Sequence, residues 1–517
     1  MHQTEVIRKV LIVGGGTAGW LTACHLAKHL QPRSAGGVQI TLLESPDIPT
    51  IGVGEGTVPA IRRSLQYLGI SETEFIRRCD ATFKQSIKFV DWTHNPGPVA
   101  DYYHHIFDYP EQPGLDLTPY WLQRSDQSRF TDWVSVQGHL CDAFKAPKTM
   151  THAEYDGLAN YAYHLDAAKF AALLTEHATQ KLGVQHQRAT VTAVPLRSDG
   201  AIAGVQTDLL GVLDADLYVD CTGFASLLLG QALQVPFIPK SEILFADSAL
   251  AVQVPYQTPE QEIPPYTIAT AQPAGWIWDI GLTTRRGTGY VYSSQHCSHD
   301  EAEQAFRRYL GKGTEELPLR RIPMQVGYRA EVWHKNCVAI GLSQGFVEPL
   351  EATGLLVFDA TARMLAEQFP LTQSAVAGAA RRFNQKVRQS WDKVIDFIKL
   401  HYLLSQRTDS AFWLDNRMAE SIPASLADNL AYWQHQLPSH YDFSSRFEIF
   451  NLDNYQYVLY GMEFKPEMAA LTERHQQHEQ AAAALHWMQQ RQQQALATLP
   501  GHRALLNNIK KYGLQRV

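Results

Sequence analysis

The 517-residue sequence predicts an α/β fold, with a Rossmann-like dinucleotide-binding module first and a mainly helical part after it. Three observations predict this. KVLIV (Lys9–Val13) is a short apolar run rich in β-branched residues, as a strand buried in a parallel sheet requires. GGGTAG follows at once and opens a helical pattern from Thr17 to Leu30. Beyond residue 370 the apolar periodicity is helical over long stretches, first around 374–407 and again around 466–499.

The first element is the most informative. Gly14, Gly16 and Gly19 fit G-x-G-x-x-G, with Thr17 and Ala18 between them. The first glycine permits the tight turn, and the second lets backbone N–H groups approach a pyrophosphate. The third lets the helix pack on the strand, while the helix N-terminus favours the anion. A second strand, QITLL, leads into Glu44, where a carboxylate reaches ribose hydroxyls. A lone glycine fingerprint is weak; in this strand–loop–helix–strand–Glu setting it predicts dinucleotide binding. No second fingerprint occurs. Strand-like runs return at LYVDCTG (217–223) and CVAIGL (337–342), each ending near a small residue. One fingerprint with later returns suits FAD better than NAD. With no evident NAD(P)H domain, the electrons are expected from a separate reductase.

Composition sets bounds on the rest. The chain is 45% hydrophobic and 19% charged, with a net charge of −7, which disfavours a nucleic-acid partner. Six cysteines are scattered without a Cys-x-x-Cys pair, so zinc and iron–sulfur sites have no support, and no metal is expected. No apolar run approaches the roughly 18 residues of a membrane span, and the first residues lack the pattern of a signal peptide. A cytoplasmic protein with reduced thiols is expected. His475, His478 and His486 lie in a Gln- and Ala-rich helical pattern without metal-ligand spacing.

Between these ends lie less regular segments. PTIGVGEGTVP (49–59) is a glycine-rich loop containing Val53, Gly54 and one acid, Glu55, suited to lie against an isoalloxazine ring. FKQSIKFVDW (83–92) carries Lys84 and Lys88; spacing alone distinguishes neither from a solvated lysine. GWIWDIG (275–281) spends two of eleven tryptophans, Trp276 and Trp278, on alternate positions, which in a strand share one face.

Taken in order, GGGTAGW, IGVGEGTVP, FKQSIKFVDW, GWIWDIG and FVEPLEATG (346–354) resemble the flavin-dependent halogenases, especially the tryptophan halogenases, over about residues 8–465. The resemblance implies a flavin monooxygenase-type module with a mixed sheet over 1–370. Substrate-facing segments would be inserted near 81–160 and 240–330, and a helical part over 371–517 would complete the pocket. It implies that FADH2 from a separate flavin reductase reacts with O2 to give a C4a-hydroperoxide, which oxidises chloride or bromide. The hypohalous acid then passes through a tunnel to a lysine beside an aromatic substrate.

The matching lysine is Lys84, which would hydrogen-bond the hypohalous acid or form a haloamine. Glu351 is the matching acid, orienting the halogen donor or accepting the arene proton; Glu348 is the competing acid three residues earlier. Thr353 and Gly354 match the halide site, with Ala352 where the family has Ser. Leu342 and Leu355 match flavin contacts and Val191 an adenine-side contact. His105 and Phe107 match a pair that flanks the substrate indole. The tryptophan pair matches a wall that keeps the organic substrate from the hydroperoxide, with Gly281 where Pro is usual and hence a more pliable wall.

Over 439–461 the family's tyrosine pair for the amino-acid group is missing, although Phe450 falls near a ring clamp and Asn454 lies in a matching stretch. The expectation is an indole-type arene and not free tryptophan. The competing readings are an FAD-dependent aromatic hydroxylase and a catalytically silent flavin-binding homologue. Whether the chain is a monomer or a homodimer stays open.

Overall fold

The computed structural model describes residues 5–48, 54–111, 114–124, 126, 128–443, 448–467 and 469–515. Val53 of the glycine-rich loop lies outside the described residues.

Two sheets position the site. The first has six strands in the order Trp333–His334, Cys337–Ala339, Leu217–Asp220, Lys9–Val13, Gln39–Glu44, Gln185–Arg188. All neighbours run parallel except the Trp333–His334 edge. Lys9–Val13 is buried after its first residue, which is why its sequence is apolar without alternation. Helix Thr17–Leu30 crosses this sheet and packs against helix Thr353–Glu367. The two are pinned by a buried contact between His25 Nε2 and Asp359, 2.8 Å long.

The second sheet has seven strands in the order Arg320–Pro323, Ser248–Pro255, Arg285–Tyr292, Gly275–Gly281, Thr267–Gln272, Ser86–Val90, Tyr102–Ile106. It is antiparallel apart from the pairing of Thr267–Gln272 with Ser86–Val90. A small sheet pairs Thr82–Lys84 with Ala162–Leu165. The chain leaves this small sheet at Lys84 and enters the large one at Ser86. Gln85 bridges the step by donating its N–H to Pro265 O at 2.7 Å. Lys84 therefore sits on a seam between sheets and not on a solvated strand edge.

The 374–407 pattern forms one helix, Gln373–Leu404, of 32 residues, about 48 Å long at 1.5 Å per residue. Asn384 Oδ1 accepts the N–H of Trp333 at 2.8 Å, tying the helix to the edge of the first sheet. Its last turns reach the second sheet, where His401 tilts against Phe89 at a ring distance of 4.9 Å.

The 466–499 pattern divides into helices Ala469–Arg474 and His478–Thr498. The break wraps a tyrosine: His475 and His478 pack edge-on against Tyr120, whose hydroxyl accepts the N–H of Gln477 at 3.2 Å. Among the described residues no helix is long and apolar enough to cross a membrane.

Candidate active site

A cleft of ≈ 670 Å³ runs from the glycine fingerprint to Lys84. Its walls include Gly14–Ala18, Glu44, Gly54, Glu55, Val191, Trp278, Leu342, Gly354 and Leu355, so most of the expected cofactor contacts share one surface.

The glycines divide their work as the fingerprint demands. Gly14 has φ +117°, and a Cβ there would lie 2.1 Å from the carbonyl oxygen of Cys221. A Cβ on Gly19 would lie 1.9 Å from Gly14 O, so helix and turn touch backbone to backbone. Gly16 has nothing within 4 Å of its Cβ position: its backbone faces open space, as approach by a pyrophosphate requires. The central Gly15 makes room for Glu44, whose Oε2 would be 1.6 Å from a Cβ. Glu44 Oε1 takes a 2.8 Å contact from His186 Nε2. At the other end of the cleft, Glu55 keeps a buried Oε2 with no partner among the described residues. Burial, with Asp166 adding to it, pushes the Glu55 carboxyl up to about 7. An open backbone turn, a ribose-distance acid and an unpartnered polar atom toward the far end fit a dinucleotide with a polar ring system.

Lys84 is 1% exposed and donates from Nζ to Thr57 O at 3.0 Å. The Phe107 ring centroid lies 5.3 Å from Nζ, and a Cβ on Gly56 would sit 3.4 Å from it. Burial brings the ammonium down to about 7, against the opposing pull of Glu351. Lys88 has the opposite fate: its Nζ pairs with Asp142 at 3.0 Å and lies 3.6 Å from the Tyr102 ring centroid.

Glu351, also 1% exposed, is held by two histidines. His105 Nδ1 lies 2.9 and 2.8 Å from its two oxygens, and His401 Nε2 lies 2.8 Å from Oε1. Burial alone would raise this carboxyl, but its interactions with His105, and then with His401, bring it down to about 2. Glu348 behaves differently. Its Oε2 accepts from Trp276 Nε1 at 2.9 Å and Tyr402 Oη at 2.7 Å, and its Oε1 is buried without a partner among the described residues. Burial pushes Glu348 up to about 7 despite those donors. Of the two acids, only Glu351 is set to be ionised across the neutral range.

Thr353 and Gly354 open helix Thr353–Glu367. Ala352 occupies the N-cap with φ 54° and supplies no capping side chain. Thr353 Oγ1 is buried with no partner among the described residues. An uncapped helix N-terminus beside an orphan hydroxyl is an arrangement of donors that suits a small anion.

The remaining expected contacts gather around this core. His105 has both nitrogens engaged, Nδ1 by Glu351 and Nε2 by Asn454 Nδ2 at 3.0 Å. Phe450 stacks on Phe397 at 3.9 Å, and Phe397 meets His105 and His401 edge-on. Trp276 and Trp278 lie on one face with ring centroids 6.4 Å apart, but only Trp278 lines the cleft; Trp276 is deeper, against Glu348. Gly281 is not a loose point in this wall. It is paired with Arg286 in the ladder, its carbonyl accepts from Thr82 Oγ1 at 2.6 Å, and a Cβ would lie 2.6 Å from Ile263 Cγ2. Close packing, and not pliability, is what glycine serves there.

His401, Phe397 and Tyr402 are the residues that motif reading passes over. Their signal is VIDFIKLHYLL (394–404), an apolar run interrupted by Asp396, Lys399 and His401, three ionisable residues that are all buried.

Comparison with known proteins places this arrangement. The tryptophan halogenase family model matches residues 9–478. The tryptophan 6-halogenase SttH of Streptomyces toxytricini is 39% identical over 83% of this chain and 84% of its own. The tryptophan 7-halogenase RebH of Lentzea aerocolonigenes is 37% identical over 96% of this chain and 97% of its own. The crystal structure of a tryptophan halogenase from Shewanella frigidimarina NCIMB 400 superposes with a TM-score of 0.95 at 44% identity, covering 99% of both chains. The chain belongs to the tryptophan halogenase family of flavin-dependent halogenases, and it is an enzyme of that class.

Proposed function

We propose that this halogenase acts on an electron-rich, indole-type arene and not on free tryptophan, with Lys84 and Glu351 as its catalytic pair. The observation that carries the reading is the cleft in which the dinucleotide cradle and a buried lysine share one wall. FAD, bound as FADH2 from a separate NAD(P)H-dependent reductase and reoxidised by O2, supplies the oxidising equivalent that turns chloride or bromide into hypohalous acid.

The chain's own residues do the rest. Gly14–Gly19 and Glu44 hold the nucleotide, with Val191, Leu342 and Leu355 against its flat groups. Thr353 and Gly354 donate to the halide. Trp278, backed by Trp276, keeps the arene from the flavin. Lys84 receives the hypohalous acid at Nζ, and Phe107 with Phe450 orients the ring. Glu351 takes the ring proton as aromaticity returns, ordinary general-base work for an ionised carboxylate.

The case against free tryptophan rests on the segment that would bind its charged group. Phe450 is stacked on Phe397, the Asn454 amide faces His105, and the Tyr457 hydroxyl donates to Asp108 O. Tyr441 is 96% exposed.

The test is turnover with a flavin reductase, FAD, NADH, O2 and bromide or chloride, over a panel of indoles, phenols and tryptophan, with products read by mass spectrometry. Halide-dependent products from indoles exceeding those from tryptophan are expected. Oxygen incorporation without halide would favour the hydroxylase reading. No product from any arene would favour the silent one.

A further inference from the structure

The ring of His401 lies between two groups that only accept. Its Nδ1 is 2.9 Å from the carbonyl oxygen of Phe397, and a carbonyl cannot donate. Its Nε2 is 2.8 Å from Glu351 Oε1. The proton on Nδ1 is therefore fixed, and the contact to Glu351 contains a second one, on nitrogen or on oxygen.

His105 shows where that second proton belongs. Asn454 Oδ1 accepts the N–H of Asn451 at 3.0 Å, so the Asn454 amide nitrogen is the end that faces His105. His105 Nε2 must then accept, and Nδ1 must donate to Glu351. His105 is then the neutral tautomer, and it donates toward both oxygens of Glu351. With Glu351 ionised, the remaining proton lies on His401 Nε2.

The surroundings of His401 favour a cation. It is in the last turn of helix Gln373–Leu404, where the carbonyl end attracts positive charge. The rings of Phe89, Phe397 and Trp92 surround it with centroids 4.9, 5.3 and 6.1 Å away. The other titratable groups facing the pair are His105, the Lys84 ammonium and the buried Tyr103 hydroxyl, which feels Glu351.

We propose that His401 is an imidazolium and a positioning residue: its charge and its Nε2–H keep Glu351 a carboxylate, aimed to take the ring proton. The role in turnover rests on the reading of Glu351 as proton acceptor; the protonation of His401 does not. In the step itself the ring C–H bond breaks, its electron pair returns to the arene, and the proton forms a bond to Glu351 Oε2. That oxygen accepts from His105 at 2.8 Å, whereas the His401 contact is to Oε1.

The protonation is tested on full-length enzyme labelled with 15N-histidine, by long-range 1H–15N NMR. His401→Gln assigns the resonance. Both ring nitrogens of His401 are expected at imidazolium shifts above pH 7.5, where an ordinary histidine is neutral, and Glu351→Gln is expected to convert them to a neutral pattern. A neutral His401 in the wild type overturns the proposal.

Turnover supplies the second arm. His401→Gln keeps a donor but loses the charge. It is expected to lower kcat about 10- to 100-fold, to change the arene KM less than about 3-fold, and to move the acidic limb of the kcat–pH profile upward. Loss of kcat with an unmoved pH profile would reduce His401 to a structural role. A wild type that halogenates nothing would sink the proposed function, while the protonation of His401 read by NMR would stand.

Discussion

The two parts of the candidate site are built on different principles. The nucleotide end is made by backbone: Gly14, Gly15, Gly16 and Gly19 work through the side chains they lack, within one strand–turn–helix unit. The acid–base end is made by side chains. Lys84 comes from a seam between sheets, His105 from strand Tyr102–Ile106, Glu351 from the turn before a helix, and His401 from a helix 32 residues long. At the first end an added side chain meets protein at Gly14, Gly15 and Gly19 and open cleft at Gly16. The second tolerates no lost charges.

The largest effect tests the second principle. Lys84→Ala is expected to remove at least about 99% of halogenated product, within the range for loss of a positioned catalytic group. Flavin-dependent O2 consumption should continue and end in free peroxide. Mass spectrometry and a peroxide assay on the same sample decide it; a variant that still halogenates would displace Lys84 from the site. The pH profile refines its role. Since the folded group titrates at about 7, halogenation rising through that pH would mark the free amine as the reactive form. Halogenation falling through it would mark the ammonium.

Next come the glycines. Gly14→Ala forces a side chain into a positive-φ position against Cys221 O. It is expected to destabilise the fold by about 1–3 kcal/mol or more, seen in chemical denaturation. Gly16→Ala meets nothing within 4 Å. It is expected to leave stability unchanged within about 0.5 kcal/mol and to weaken FAD binding, measured by fluorescence titration. Equal destabilisation by both would break the division of labour between them.

A smaller effect concerns the cost of the catalytic end. Lys84 binds its proton less tightly when folded, about 7 against 10.5 for the free group. The unfolded chain therefore holds more protons between those pH values, and stability rises with pH across them. Lys84→Met is expected to be more stable than wild type at pH 6 by about 1–4 kcal/mol. That gain should shrink steadily toward pH 10, as thermal unfolding at several pH values would show.

Smallest is Lys88→Met. It breaks a partly exposed pair with Asp142, worth about 1 kcal/mol or less, and should leave product formation within about 2-fold. The contrast between two lysines four residues apart is the internal control for the whole comparison.

Legibility followed the same division. The fingerprint, Glu44, the strand Lys9–Val13 and the long helix are visible in the sequence because each is set by local steric rules or by periodicity. Lys84 and Lys88 look alike in sequence; only resemblance singled out the first. Glu348 and Glu351 are separated by their donors, Trp276 and Tyr402 for one, His105 and His401 for the other. Those donors lie up to 246 residues away along the chain.

His105 illustrates the limit well. Resemblance sets its ring beside a substrate but says nothing of its nitrogens, which the fold engages with Glu351 and Asn454. Gly281 is a second case, where conformational freedom suggested a pliable wall and the packing of Ile263 and Tyr256 explains the residue instead.

The sequence by itself determined the nucleotide cradle, the α/β class and the family, because backbone sterics and ordered motifs act over short stretches of chain. The tertiary structure alone decided which lysine is buried at the cleft and which donors hold each of the two glutamates. Those properties are set by burial and by charges that meet only when the chain has folded.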